Sequence, residues 1–135
     1  MRSNLKPRKV TVPVDYTIDE ERRLAVLRLT GVVRGEDGWA ARERMTRDSR
    51  YRPHFDEIVD ALGATEFAVT GDAIRGAATN PLLTNDVRRA FVAGSDEGYG
   101  IFRMFQSASP NAGTRVFRDL ESAKRWLAGE ASAED

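Results

Sequence analysis

The sequence predicts a single α/β domain whose sheet is mixed but mostly parallel. Two segments of alternating apolar and polar residues open the chain, and a short polar link between them is typical of an antiparallel hairpin. Further on, short apolar strands alternate with segments of helical periodicity, which favours parallel strands joined by covering helices. The length of 135 residues, with 41% hydrophobic and 31% charged residues, suits one globular domain. The expected order is β-β-α-β-α-β-α-β-α.

The opening hairpin is predicted from apolar side chains at every second position. Residues 12–19 form the first strand, residues 20–22 the turn, and residues 23–33 a longer second strand. Residues 1–11 are basic and are expected to be a disordered lead-in to a domain that spans residues 12–129.

The first helix should begin at residues 35–37, because Glu36 and Asp37 place carboxylates in its first turn. Trp39, Ala40 and Met45 are expected on its apolar side. A third strand is predicted for residues 55–62, followed by a loop rich in Gly, Ala and Thr.

The second helix is predicted to open at Thr70 and to end before Pro81, which cannot continue a helix. The next strand spans residues 87–95, and its helix is capped by Ser95 or Asp96.

The last strand is predicted for residues 114–119, and Asp119 caps the final helix, which Gly129 ends. An acidic tail, residues 130–135, follows.

Composition excludes several classes of function. The chain has no cysteine, so disulfides, thiol nucleophiles and cysteine zinc sites are absent. No apolar run approaches the roughly 20 residues of a membrane span, and no secretion signal opens the chain, so a cytoplasmic location is expected. The first 52 residues hold 13 basic and 8 acidic residues, but these are interleaved, so no nucleic-acid partner is expected.

No catalytic pattern stands out, so the chain is predicted not to be an enzyme. His54 is the only histidine, and it lacks a second ligand for a metal site or partners for a catalytic triad. Neither of the glycine-rich nucleotide-binding motifs, G-x-x-x-x-G-K-[ST] and G-x-G-x-x-G, occurs in the sequence. We therefore expect no cofactor and no metal.

The candidate binding residues lie at two corners where a strand gives way to a helix. Thr70, Gly71 and Asp72 form the first corner, and Ser95 and Asp96 form the second, with Tyr99 one turn further on. Such corners lie at the carboxyl ends of parallel strands, where open α/β sheets usually bind ligands. The same hydroxyls and carboxylates are also ordinary helix caps, and both interpretations stay open at this stage.

Five short motifs in register along the chain resemble the STAS or SpoIIAA-like domains, which include the anti-anti-sigma factors and are distantly akin to CRAL-TRIO lipid carriers. They occupy residues 16–18, 23–31, 60–67, 89–105 and 116–127. The resemblance covers residues 13–128 and implies a SpoIIAA-like fold. In that family a serine at the start of the second helix is phosphorylated by a partner kinase, which also acts as the anti-sigma factor. The resemblance makes Thr70 the candidate phospho-acceptor here, although Val69 stands where the family has an aspartate.

The sequence and the resemblance together predict a non-enzymatic, regulatory binding module. It would dock a protein partner or a small ligand at the two corners. The alternative is a carrier of a lipid or other small apolar ligand, held in a pocket between the sheet and the aromatic third helix. The edge of the opening hairpin and the exposed aromatic side chains are candidate surfaces for a homodimer.

Overall fold

A computed structural model describes residues 12–129, so the predicted lead-in (1–11) and acidic tail (130–135) lie outside the described residues. The strands are β1 (Val14–Asp19), β2 (Leu24–Arg34), β3 (Asp56–Ala68), β4 (Arg89–Ala93) and β5 (Thr114–Phe117). The helices are α1 (Gly35–Arg47), α2 (Gly71–Ala78), α3 (Asp96–Ala108) and α4 (Leu120–Leu127), with a short 3-10 helix at Pro81–Leu83.

The five strands form one sheet in the order β1-β2-β3-β4-β5. β1 and β2 are the predicted antiparallel hairpin, and every later neighbour is parallel. Each parallel connection contains a helix, as a crossover between parallel strands requires. The predicted class and element order are therefore confirmed.

The sheet is covered on both faces, but unequally. On one face, apolar side chains of β2, β3 and β4 pack against helices α1, α2 and α3, with Met45, Phe102 and Phe105 among the buried residues. On the other face, Ile58 and Val92 pack against α4. Ile58 and Val59 are buried on opposite faces because successive side chains of a strand alternate.

The third strand is longer than predicted. Residues 63–68 were expected in a loop, but they continue β3 because residues 30–34 of β2 pair with them as far as Arg34 opposite Ala68. Two bulges interrupt this pairing, and Gly31 beside the second has a φ of +66°, which glycine adopts without strain. Ala64 and Phe67 are buried, so the Gly- and Thr-rich stretch contributes to the core.

The predicted apolar side of α1 was wrong at one residue, Ala40. Ala40 is exposed, and the buried residues are Ala41, Arg42 and Met45. Hydrophobicity alone would place Arg42 on the exposed side of α1. The arginine is buried because a glutamate of β3 compensates its charge. Other differences are shorter strand ends and the 3-10 helix, which was not predicted.

Candidate functional site

The first predicted corner is a regular helix start. The Thr70 Oγ1 accepts a hydrogen bond from the Ala73 amide at 3.1 Å, so Thr70 caps α2 as predicted. The Asp72 carboxylate, 95% exposed, accepts a hydrogen bond from Arg75 at 2.7 Å. Gly71 lies beside Arg75 and the sulfur of Met104, which joins the corner to α3. Thr70 itself is exposed, and its hydroxyl is used by the cap.

The second corner combines a cap with a polar and aromatic surface. The Ser95 Oγ accepts a hydrogen bond from the Gly98 amide at 3.0 Å. The Asp96 carboxylate is 95% exposed and accepts a hydrogen bond from Arg118 at 2.9 Å. The same guanidinium lies 4.1 Å from the centre of the Tyr99 ring, a cation–π contact.

The two corners are neighbours without sharing polar contacts. β4 ends where Ala93 pairs with Ala61, while β3 continues to Ala68, so the corners leave the sheet at different heights. Phe67 connects them, because its ring lies against Gly98, where an added Cβ would approach it to 3.1 Å. Within residues 12–129, no hydrogen bond or ion pair joins the six predicted site residues across the corners.

A cavity of about 170 Å³ lies between the sheet and helices α1, α2 and α3, and it is partly open to solvent. Its wall is mostly apolar and includes Leu27, Val33, Trp39, Val59, Phe67, Val69, Ile74, Ala77, Phe91, Ile101, Phe102 and Phe105. None of the six predicted site residues lines it. Protein interiors normally contain few voids larger than a water molecule, so a cavity of this size calls for an explanation.

The start of α1 borders this cavity and differs from the other helix starts. Arg34, Gly35 and Gly38 line the cavity. Arg34 occupies the position before the helix, and no side chain caps the first turn. At Gly35 and Gly38 an added Cβ would meet nothing within 4 Å, so this part of the wall is open.

A buried charge cluster lies beside the cavity, and Arg42 belongs to both. The Glu57 carboxylate accepts hydrogen bonds from Arg42 at 2.8 and 2.9 Å and from Arg89 at 2.9 and 3.3 Å. Relative exposures are 5% for Arg42, 1% for Glu57 and 0% for Arg89. Arg89 also donates to the Leu83 carbonyl and to Asn85. One carboxylate thus serves two guanidinium groups.

The cluster favours the ionised forms of Glu57 and Arg42. Burial alone would raise the pKa of the Glu57 carboxyl, but the charges and hydrogen bonds of Arg42 and Arg89 outweigh it and hold that pKa well below its usual range. Burial likewise lowers the pKa of Arg42, and Glu57 more than offsets this effect, so the pKa ends above its ordinary value.

Sequence reasoning missed the charge cluster, and it offered the cavity only as its alternative, a pocket between the sheet and the aromatic third helix. One signal for the cluster was present, since Glu57 shares a strand face with Val59 and Ala61, and this alternation places a carboxylate among buried side chains. For the cavity, the aromatic residues of the third helix were the signal, but its volume and its α1 and α2 lining could not be predicted because they depend on how distant elements meet.

The structure also limits other kinds of site. Among the helices of residues 12–129, none is long and apolar enough to cross a membrane. The same residues contain no cluster of three or more His, Cys, Asp or Glu side chains suited to a metal ion. His54 is exposed in a turn and lies edge-on to Phe55.

The fold has a counterpart among solved structures. The chain is similar to a crystal structure described as an uncharacterised protein of the DUF3478 family with a SpoIIAA-like fold, from Shewanella loihica PV-4. The TM-score is 0.52 at 18% identity, and the alignment covers 94% of this chain and 98% of the other. No protein-family model matches the chain, and no curated protein matches it. The topology described above and this similarity together establish that the chain has a SpoIIAA-like fold.

Proposed function

We propose that the chain is a non-enzymatic binding module that holds a small apolar ligand in the cavity between the sheet and helices α1, α2 and α3. The observation that carries this proposal is the cavity itself, about 170 Å³ with a mostly apolar wall. This is the carrier function that the sequence offered as its alternative.

The volume indicates the size of ligand. Apolar cavities of about 150 Å³ stay dry and bind benzene or xenon. The cavity therefore fits a single ring or a short alkyl chain, and a longer lipid would have to extend past Gly35 and Gly38 at the open side.

The apolar wall of the cavity would provide the affinity for the ligand. Burying apolar surface contributes roughly 25 cal/mol per Å². Trp39, Phe67 and Phe102 line the cavity, and aromatic walls of this kind are typical of small-molecule sites. At the helix-start corners, in contrast, the hydroxyls of Thr70 and Ser95 each already accept one of the first-turn amide hydrogens that an anionic ligand would use.

A titration with toluene tests the proposal. Amide resonances of residues around the cavity should shift in a saturable way in two-dimensional NMR spectra of the full chain. Ala77→Leu places extra carbons in the cavity wall and should weaken toluene binding at least about tenfold, a loss of about 1.4 kcal/mol. Ala40→Leu, at an exposed position of α1, is the matched control and should bind as the unaltered chain does. Shifts elsewhere, or equal binding by both variants, would contradict the proposal.

Docking of a protein partner at the corners is the second candidate function, and the surface formed by Asp96, Tyr99 and Arg118 favours it. The carboxylate and the guanidinium are exposed yet paired, and the half-buried tyrosine ring stacks on the arginine. Such a pre-ordered aromatic and arginine pair is the composition of interface hot spots. A photo-crosslinking residue at position 99 should capture one defined protein in cells, whereas the same residue at the exposed Thr65 should not.

Phosphorylation of Thr70 stays a prediction of the resemblance. A phosphate there would lie at the amide end of α2, where the helix dipole favours negative charge. Intact mass measurement of the chain from its own host, with Thr70→Val as the control, tests it: an unmodified mass under all growth conditions rejects the switch. The cytoplasmic location and the homodimer likewise stay predictions.

A further inference from the structure

The charges in the cavity wall are all of one sign. Among the described residues that line the cavity, the ionisable ones are Arg34 and Arg42, and no carboxylate joins them. Arg34 is exposed at the start of α1, whereas Arg42 is 5% exposed. The mostly apolar space therefore has a positive wall.

The buried cluster behind this wall carries one positive charge more than it carries negative. Arg42 and Arg89 both pair with the single carboxylate of Glu57. Buried charges are stable when they are paired, and among residues 12–129 the two guanidinium groups share a single buried carboxylate. The charge balance of the interior would be completed by one anion.

Arg42 is the member of the cluster with donors to spare. Arg89 divides its donors among Glu57, the Leu83 carbonyl and Asn85. Within residues 12–129, Arg42 donates only to Glu57, through Nη1 and Nη2. A guanidinium has more N–H groups than that pairing uses, and it favours carboxylates as partners.

We propose that the ligand of the cavity is a small carboxylic acid with an apolar body, and that Arg42 receives its carboxylate while Arg34 contributes positive charge at the open side. This inference rests on the cavity-binding function proposed above and adds the chemical class of the ligand. Because the cavity is apolar apart from these arginines, both parts of such a molecule find a complementary wall.

Phenylacetate and phenylacetamide test the inference, since they share one shape and differ in charge. Both are titrated by NMR into the full chain at pH 7. The acid should bind at least about tenfold more tightly than the amide, because hydrogen bonds between charged groups are roughly twice as strong as neutral ones. Equal affinities would overturn the inference and leave the cavity-binding function standing. Binding of neither compound would overturn both.

Variants assign the preference to a residue. Arg42→Met leaves Glu57 paired with Arg89, and it should abolish the preference for the acid while the amide binds as before. Arg44→Met, at an exposed position of α1 outside the cavity, is the control and should keep the preference. If Arg42→Met does not fold, Arg34→Met decides: the preference should fall about two- to fivefold, as expected for loss of a partly exposed charge. Full preference in a folded Arg42→Met variant, or in Arg34→Met, would contradict the assignment.

Discussion

The two faces of the sheet differ in how completely their side chains fill the space beneath the helices. Beneath α4, Ile58, Val92 and Ala123 pack together, and Trp126 closes the edge against Phe117. The one buried charge found on this face within residues 12–129 is Asp60, opposite Val92 in the neighbouring strand and 3.7 Å from the half-exposed Arg28. Beneath α1, α2 and α3, the core holds a cavity of about 170 Å³ and adjoins three buried charges.

Under the proposed function, this difference separates a face that stabilises the fold from a face that binds a ligand. Native interiors pack about as densely as organic crystals, and an unfilled volume forfeits dispersion contacts. At the cavity wall the ring of Phe102 contacts those of both Phe67 and Phe91, and the cavity remains beside these rings. We therefore expect substitutions on the two faces to give opposite results.

The largest expected effect is at the charge cluster. Glu57→Gln leaves Arg42 and Arg89 without their shared carboxylate and should lower the free energy of unfolding by about 3–5 kcal/mol, as for other broken buried pairs. Asp72→Asn, at an exposed pair with Arg75, should change it by less than about 0.5 kcal/mol. Urea denaturation of both variants measures the difference. A small loss in Glu57→Gln would show that the cluster is not held by the carboxylate.

The same variant has a pH signature. Because the folded pKa of Glu57 lies below its unfolded value, the carboxylate stabilises the fold above the ordinary glutamate pKa of about 4.3, and this contribution is lost as the pH falls below it. Unfolding measured from pH 7 to pH 3 should therefore show a steeper acid loss in the unaltered chain than in Glu57→Gln. Parallel curves would contradict the assigned direction.

One substitution made on both faces compares them directly. Ala123→Leu enlarges a fully buried residue under α4 and should destabilise the fold by about 1–3 kcal/mol through overpacking. Ala77→Leu points to the cavity face, where space exists, and should leave stability unchanged or raise it by up to about 1 kcal/mol. Thermal unfolding of the two variants separates the faces. An equal loss in both would mean that the cavity has no room for a side chain.

A moderate effect is expected at the start of α2, the short helix that covers the cavity. Thr70→Ala removes the cap of the Ala73 amide and should cost about 1 kcal/mol. Ser107→Ala, an exposed position inside α3, is the control and should have an effect of less than about 0.5 kcal/mol. Chemical denaturation measures both. If the two variants match, the hydroxyl of Thr70 is free for another role.

The smallest effects come from two helix glycines with open space around them. Gly38→Ala in α1 and Gly100→Ala in α3 should each stabilise the fold by about 0.5–1 kcal/mol, because alanine loses less backbone freedom on folding. Gly38 lines the cavity and Gly100 does not, so only Gly38→Ala should also alter toluene binding. Identical binding by the two would remove Gly38 from the entrance.

The local features of the fold, the hairpin and the helix caps, could be predicted from the sequence. Alternation found the hairpin, and the side chains of Thr70, Ser95 and Asp119 cap their helices as their types predict. These features depend on residues within a few positions of one another, so a short stretch of sequence contains them.

The parts that failed depend on distant partners. Residues 63–68 were expected in a loop, because glycine, alanine and glutamate have low strand propensity and only the pairing with distant residues of β2 makes this segment a strand. From its charge alone, Arg42 would be expected at the surface. It is buried because it pairs with Glu57, a residue of another element. The volume and lining of the cavity could not be predicted for the same reason, since the cavity arises where the sheet meets three separate helices.

A crystal structure under xenon pressure is the sharpest test of binding in the cavity, because xenon enters apolar cavities without needing polar partners. We expect xenon density in the cavity between Trp39, Ile74 and Phe102, and none beneath α4. In Ala77→Leu that density should be lost or displaced. An empty cavity in the unaltered chain, or xenon bound equally beneath α4, would contradict the claim that one face is built for binding and the other for stability.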